Sequence, residues 1–171
     1  MNNPPSESGF FDGMALAMLT GDCWRPLAGT VPGFRPVPQN QVVLAGARDF
    51  DEAERARVEN SALLVLPPER VHGEGMAGAL AELPSAVRRI YLHIDLDVHD
   101  RASVGAANDY AADGGPGAEA VRSAVGAVSA AYPIAAVTLS AYDPATDRDH
   151  GVRAAALELA GQLGAAAGGR G

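Results

Sequence analysis

Short apolar runs alternate along this chain with longer stretches whose apolar positions recur every three or four residues. Residues 41–45 (QVVLA), 62–66 (ALLVL), 89–97 (RIYLHIDLD) and 134–140 are the runs, and their length and composition suit strands covered on both faces. Between them lie helix-favouring stretches. One is the charged segment 49–60, another is 74–83, closed by Pro84. A third runs from Pro116 in a first turn to about residue 132, and the last covers roughly 151–163. Upstream, residues 12–19 read as a short helix with Asp12 as its N-cap. The segment 24–39 carries Pro26, Pro32, Pro36 and Pro38, which deny a helix and predict a surface loop. Strand and helix in alternation predict an α/β fold, a three-layer α/β/α sandwich with a mainly parallel sheet and right-handed crossovers. In such a fold the functional loops sit at the carboxyl ends of the strands. Residues 10–164 are expected to form one domain, between a flexible segment at 1–9 and a flexible tail at 165–171.

Composition narrows the function classes. The chain has 171 residues, 47% of them apolar, which suffices for a real core. With 13 Lys and Arg against 21 Asp and Glu, the formal net charge of −8 gives a phosphate-binding surface no support, so nucleic acid is not an expected partner. No stretch approaches the ~20 apolar residues of a membrane span. Cys23 is the only cysteine, which rules out an internal disulfide framework and fits a reducing, cytoplasmic setting. Aromatic residues are few, so small aliphatic side chains must do the packing.

The candidate chemistry gathers at the end of the third strand. His93, Asp95, Asp97 and His99 occupy alternate positions, and an extended chain through all four would aim them to one side, roughly 6.6 Å apart at successive pairs. Acids at the end of an apolar strand are costly unless paired or bound to a cation, and this donor set suits a divalent ion such as manganese. Asp95 and Asp97 are the strongest candidates. His93, deeper in the strand, reads more readily as a core histidine, and His99 is open to either reading. Asp100 reads as a loop start with a role behind a ligand as the alternative. His72 and His150, beside glycines, read as surface residues. Gly114 and Gly115 lack a phosphate-loop fingerprint and fit a backbone turn into the next helix. The acids Asp49, Asp51, Glu52 and Glu54 read as a helix start complementing its dipole, and Cys23 as a small buried hydrophobe.

The string YLHIDLDVHD, followed by Gly-Gly and then by SAYDPATD before a terminal helix, resembles the arginase and agmatinase family of ureohydrolases. The segment SGFFDGMALAMLTG is similar to that family's serine-glycine loop and the helix behind it. The resemblance runs from about Ser6 to Leu163 and matches the later part of a family member, so the expected fold is arginase-like and N-terminally shortened. It implies two bridged manganese ions that activate water against a guanidinium carbon, with Asp95 and Asp97 on the family's late Asp-x-Asp pair. The family's Gly-Gly-Asp-His and Asp-Ala-His-x-Asp strings do not occur here. Its proton-transfer histidine falls on Asp12, its guanidinium-holding glutamate on Ala141, and its Leu and Pro after the acid pair on His99 and Arg101.

The resulting expectation is a metal-dependent hydrolase of C–N bonds in linear amidines of guanidino type, incomplete on its own. Asp95, Asp97 and His99 are its metal candidates and Asp12 its catalytic candidate. Ser8 and Asp143 are its substrate-binding candidates, with a turn role for Asp143 as the alternative. The missing ligands are expected from an N-terminal portion or a separate subunit, and family likeness also implies a homo-oligomer. Two other readings stand beside it. One is a non-catalytic ureohydrolase-derived subunit, which Ala141, Asp12 and the missing strings favour. The other is a metal-dependent deacetylase, which Asp-x-Asp-x-His would also suit.

Overall fold

The computed structural model describes residue 9 and residues 11–168, Asp12 by its backbone alone. The described chain divides into two units, one of the residues up to Val43 with Asp49–Leu64, the other of Leu44–Arg48 with Val65 onward. The sequence predicts one domain there.

In the first unit a 3-10 turn, Asp12–Met14, leads into α1, Ala15–Leu19. The residue preceding α1 is Met14, and no side chain caps the helix. Asp12 therefore opens the turn and is not the cap of the α-helix. Met14 and Ala17 are buried and anchor this segment. The proline-rich stretch, expected to be all loop, contains α2, Arg25–Ala28. Pro26 is tolerated because it stands in the first turn, where a missing N–H breaks no helical bond. Trp24, left-handed at φ 47°, turns the chain into α2 and stacks on Phe11 with ring centroids 5.2 Å apart. Helix α3, Glu52–Glu59, is capped by Asp51, whose Oδ1 accepts the Glu54 N–H at 2.6 Å. Glu52 and Glu54 add negative charge at its positive end, as expected of this acidic cluster.

Strands β1, Val43–Ala45, and β2, Leu64–Leu66, pair with each other, and the boundary between the units crosses both strands. The second unit continues with α4, Gly73–Ala81, and β3, Ile90–Asp95. After them come α5, Ala118–Ala131, β4, Ile134–Ser140, and α6, Gly151–Gly168. Strands β3 and β4 run parallel, with Asp95 opposite Ser140, so both end at the same level. Helix α5 forms because Val121, Ala124, Val125 and Val128 recur at helical spacing, and all four are buried. Val121 and Val125 join Ile94, Leu96, Ala107, Val152 and Leu159 in the core of this unit.

Three details depart from expectation. Helix α6 continues to Gly168, into the segment expected to be a flexible tail. His72, expected as a plain surface residue, caps α4 by accepting the Gly75 N–H on Nδ1 at 3.3 Å. His93, expected to lie in the core, is exposed on the sheet, its Nε2 3.0 Å from the Ser140 hydroxyl. No helix among the described residues is long and apolar enough to cross a membrane.

Candidate functional site at the end of strand β3

Strand β3 stops at Asp95, two residues before the expected end, and the chain tightens into a 3-10 turn at Leu96–Val98. The turn has a local cause. Asp95 Oδ1 accepts the Asp97 N–H at 3.4 Å, and Leu96, 3% exposed, plugs into the core beside Ile94. Burial still alternates from Ile94 to Asp97, so the two acids are part-buried while their neighbours are covered. The alternation fails at His99, which the extended reading places beside the acids. Its side chain is 1% exposed, Nδ1 lies 3.0 Å from the Leu96 carbonyl, and Nε2 has no hydrogen-bond partner among the described residues. Burial holds its pKa below the ordinary imidazole value against the carbonyl contact that raises it, and nearby Arg48 lowers it further. His99 is thus a buried anchor of the turn.

Three further residues hold this turn, and of them the sequence reading assigned only Gly115, to a backbone turn. Arg48 follows β1 and, among the described residues, donates only to carbonyls. Its Nη2 reaches Ala112 O at 2.6 Å, Asp97 O at 2.9 Å and His99 O at 3.3 Å. Its Nη1 reaches Val98 O at 3.2 Å and Gly46 O at 3.3 Å, and Nε reaches Asp113 O at 3.1 Å. One planar guanidinium thereby ties together three segments that are far apart in sequence. Asn108 donates Nδ2 to Asp97 Oδ2 at 3.2 Å and to Ala141 O at 2.9 Å. Gly115 packs against the backbone of Val98, His99 and Asp100 so closely that a Cβ would collide with it. Only the placement of Arg48 just past a strand and of Asn108 in a Gly/Asn/Asp-rich loop hinted at these roles.

Asp100 takes the loop role. It accepts from the Ser103 hydroxyl at 2.8 Å, the Ser103 N–H at 3.1 Å and the Gly114 N–H at 3.0 Å. The Ser103 hydroxyl and then the Gly114 N–H hold its carboxyl below the ordinary value. Gly114, at φ 79°, supplies the left-handed turn the sequence anticipated.

At the end of β4, Ala141 is left-handed at φ 61°, a conformation that costs a residue with a Cβ roughly 1–2 kcal/mol. Asp143 is exposed, and its Oδ1 accepts the Ala145 N–H at 2.9 Å, so the geometry gives it the turn role. Asp147, 1% exposed, accepts from the N–H groups of Arg153 at 2.9 Å and Val152 at 3.2 Å and from the Tyr142 hydroxyl at 3.1 Å. Burial alone would raise its pKa, but those three donors outweigh it and hold the carboxyl below its ordinary value. The string SAYDPATD is therefore a device that starts α6. Burial and Asp147 raise the Tyr142 pKa. Cys23 is buried, and burial raises its thiol pKa, in keeping with a small buried hydrophobe.

Of the six candidate site residues, Asp95 and Asp97 lie together at the turn. His99 is anchored beneath it, and Asp143 belongs to a separate turn. Asp12 has only its backbone described, and Ser8 lies outside the described residues. The two carboxylates have the donor chemistry for a divalent cation, but among the described residues no three His, Cys, Asp or Glu side chains are grouped to hold a metal.

Comparison with known proteins gives this geometry a context. The model of the arginase family matches residues 2–164. An N(omega)-hydroxy-L-arginine amidinohydrolase of Streptomyces lavendulae is 30% identical over 159 residues, which make up 92% of this chain and 53% of that protein. The crystal structure of arginase from Bacillus subtilis superposes with a TM-score of 0.84 at 26% identity, over 95% of this chain and 57% of that one. Formimidoylglutamase from Bacillus subtilis, at 19% identity and a TM-score of 0.65, shares the fold over 83% of this chain and 45% of its own. The chain thus spans about half the length of these relatives.

Proposed function

The chain belongs to the arginase family, and on that premise we propose that it carries the Asp95–Asp97 share of a manganese-dependent centre that hydrolyses C–N bonds in guanidino-type linear amidines. The observation that carries this reading is the pair of part-buried acids at the carboxyl end of a parallel strand, on a turn pinned by Arg48 and Asn108. In α/β folds that is where ligands bind. The amidinohydrolase name of the Streptomyces lavendulae relative supports the substrate class.

When bound, manganese would supply Lewis-acid activation of water. Asp95 and Asp97 would contribute anionic oxygens to hold it, with Arg48 on the Asp97 carbonyl and Asn108 on Asp97 Oδ2. Two carboxylates do not complete a metal shell, so the remaining donors come from outside the described residues, in an upstream portion, a second subunit or another copy of the chain. Asp12 and Ser8 remain candidates for substrate contact. The proposed setting is cytoplasmic.

A second reading is favoured by Ala141, which stands where the family resemblance puts a guanidinium-holding glutamate. On that reading the chain is a non-catalytic subunit that keeps the fold. Manganese titration of the purified chain, followed by the paramagnetic resonance signal of free ion, combined with a urea-release assay on guanidino compounds, tests both. Weak binding that Asp95→Asn and Asp97→Asn abolish, with little urea released by the chain alone, is the expected result. Binding unaffected by either substitution overturns the metal reading. Robust urea release by the chain alone overturns its incompleteness. Binding without turnover under every reconstitution favours the second reading.

A further inference from the structure

We infer that Asn108 is a positioning residue for Asp97, selecting the carboxylate oxygen that faces a cation and tying that choice to the end of β4. The consequence for a metal rests on the function proposed above, whereas the link itself does not.

All of the Asn108 side chain is engaged. Nδ2 has two protons and two acceptors, Asp97 Oδ2 at 3.2 Å and Ala141 O at 2.9 Å, while Oδ1 accepts the Tyr110 N–H at 2.8 Å. Turning the amide over would set its oxygen against a carboxylate and a carbonyl and its NH2 against another N–H. Only one orientation satisfies the three partners. Among the described residues Oδ1 of Asp97 receives no hydrogen bond, so Asn108 holds Oδ2 and leaves Oδ1 as the less committed oxygen. The same amide grips the carbonyl of Ala141, whose left-handed backbone needs outside support. Asp97 and the turn after β4 are therefore coupled through one side chain, across 33 residues of sequence between Asn108 and Ala141. Groups that orient a metal ligand in this way typically change affinity by roughly 10–100-fold when removed.

The test uses the full chain. In metal-free protein, the side-chain amide protons of Asn108 are observed by NMR in wild type and in Asp97→Ala. The expected result is that one of the two proton signals shifts while its partner, bonded to Ala141, stays. Two unmoved signals overturn the link. Manganese ion alone is then titrated into wild type, Asn108→Ala, Asn108→Asp and Val128→Ala, with the metal-free melting temperature of each recorded. Asn108→Ala is expected to bind about 10–100-fold more weakly than wild type. Asn108→Asp keeps the shape but replaces the donor with a like charge, and is expected to bind no better than Asn108→Ala. Val128→Ala, a buried change on α5 outside the cluster that holds Leu96, is expected to lower the melting temperature and leave affinity unchanged. Affinity that follows melting temperature across the variants overturns the positioning role. A wild type that binds no manganese overturns the metal reading alone, and the amide signals still decide the link.

Discussion

Replacing Arg48 tests whether the turn that presents the acids is held from behind. Its guanidinium makes six contacts, all to carbonyl oxygens: Gly46, Asp97, Val98, His99, Ala112 and Asp113. A hydrogen bond to a charged group contributes about 1.5–3 kcal/mol, and these six share one cation and are not additive. Arg48 is part-buried, so water can reach some of the abandoned carbonyls. Counting mainly the two shortest, to Ala112 at 2.6 Å and Asp97 at 2.9 Å, the loss in Arg48→Ala is about 3–5 kcal/mol. That is a large fraction of the 5–15 kcal/mol typical of a domain, so the variant should be marginal. Arg48→Lys keeps the charge but not the planar fork, and should recover less than half of the loss. Urea unfolding followed by far-ultraviolet circular dichroism measures this, because the single tryptophan, Trp24, lies in the other unit. The midpoint should fall with little change in slope. Because the partners are dipoles at contact distance, the difference should persist at high salt. A cost below about 1 kcal/mol for Arg48→Ala, or a lysine variant equal to wild type, would refute the reasoning.

Four other substitutions probe the same unit. Asp147→Asn should cost about 2 kcal/mol at neutral pH, because it weakens a buried acceptor of three donors. The folded carboxyl lies below its ordinary value of 3.8, so its contribution is complete above that value and is lost as pH falls through the depressed one. Thermal melts of wild type and Asp147→Asn should therefore converge in acid. His99→Leu removes a buried nitrogen without a partner together with one carbonyl contact, and should change stability by less than about 1 kcal/mol in urea unfolding. Gly115→Ala should cost about 2–3 kcal/mol because its Cβ meets the Val98–Asp100 backbone, whereas Gly114→Ala meets open space and loses only about 1 kcal/mol to its positive φ. Equal midpoints for the two glycine variants would contradict the close packing.

The features legible in the sequence were those written as local periodicity. Val121, Ala124, Val125 and Val128 announce α5 because a helical face is a pattern within one segment. The apolar run of β3 announces a strand for the same reason, but not the cover on both faces that it predicted, since Tyr91 and His93 are exposed. The acid pair was legible because Asp95 and Asp97 are chemically costly where they stand. What was not legible depends on contacts across the chain. Arg48 lies 49 residues from one of its acceptors and 64 from another, and nothing in GARD says that its guanidinium collects carbonyls. Asn108 looked like loop punctuation because loops are rich in asparagine, and its role needed the position of Ala141, 33 residues on. His99 was misplaced for a more specific reason. A period of two was carried past Asp95, where the side chain of Asp95 itself captures the Asp97 N–H and ends the strand.

That last point explains how the site is built. Two carboxylates two residues apart repel each other, and a plain extended strand would relieve the repulsion by letting Asp97 swing towards solvent. Here the backbone of Asp97 is fixed on both sides, by its N–H on Asp95 and by its carbonyl on Arg48. Its carboxylate is fixed by Asn108. Leu96 joins the turn to the core, and His99, also buried, sits with Nδ1 on the Leu96 carbonyl. On the function proposed above, these anionic oxygens are offered to a cation from a turn that protein hydrogen bonds hold. It follows that substitutions at Arg48 should disturb the fold and the acids together, whereas Asp97→Asn should leave the turn intact. Hydrogen exchange at the amides of residues 96–100 separates the two. Fast exchange in Arg48→Ala with near-wild-type protection in Asp97→Asn is the expected pattern, and loss of protection in Asp97→Asn would mean that the acid organises the turn.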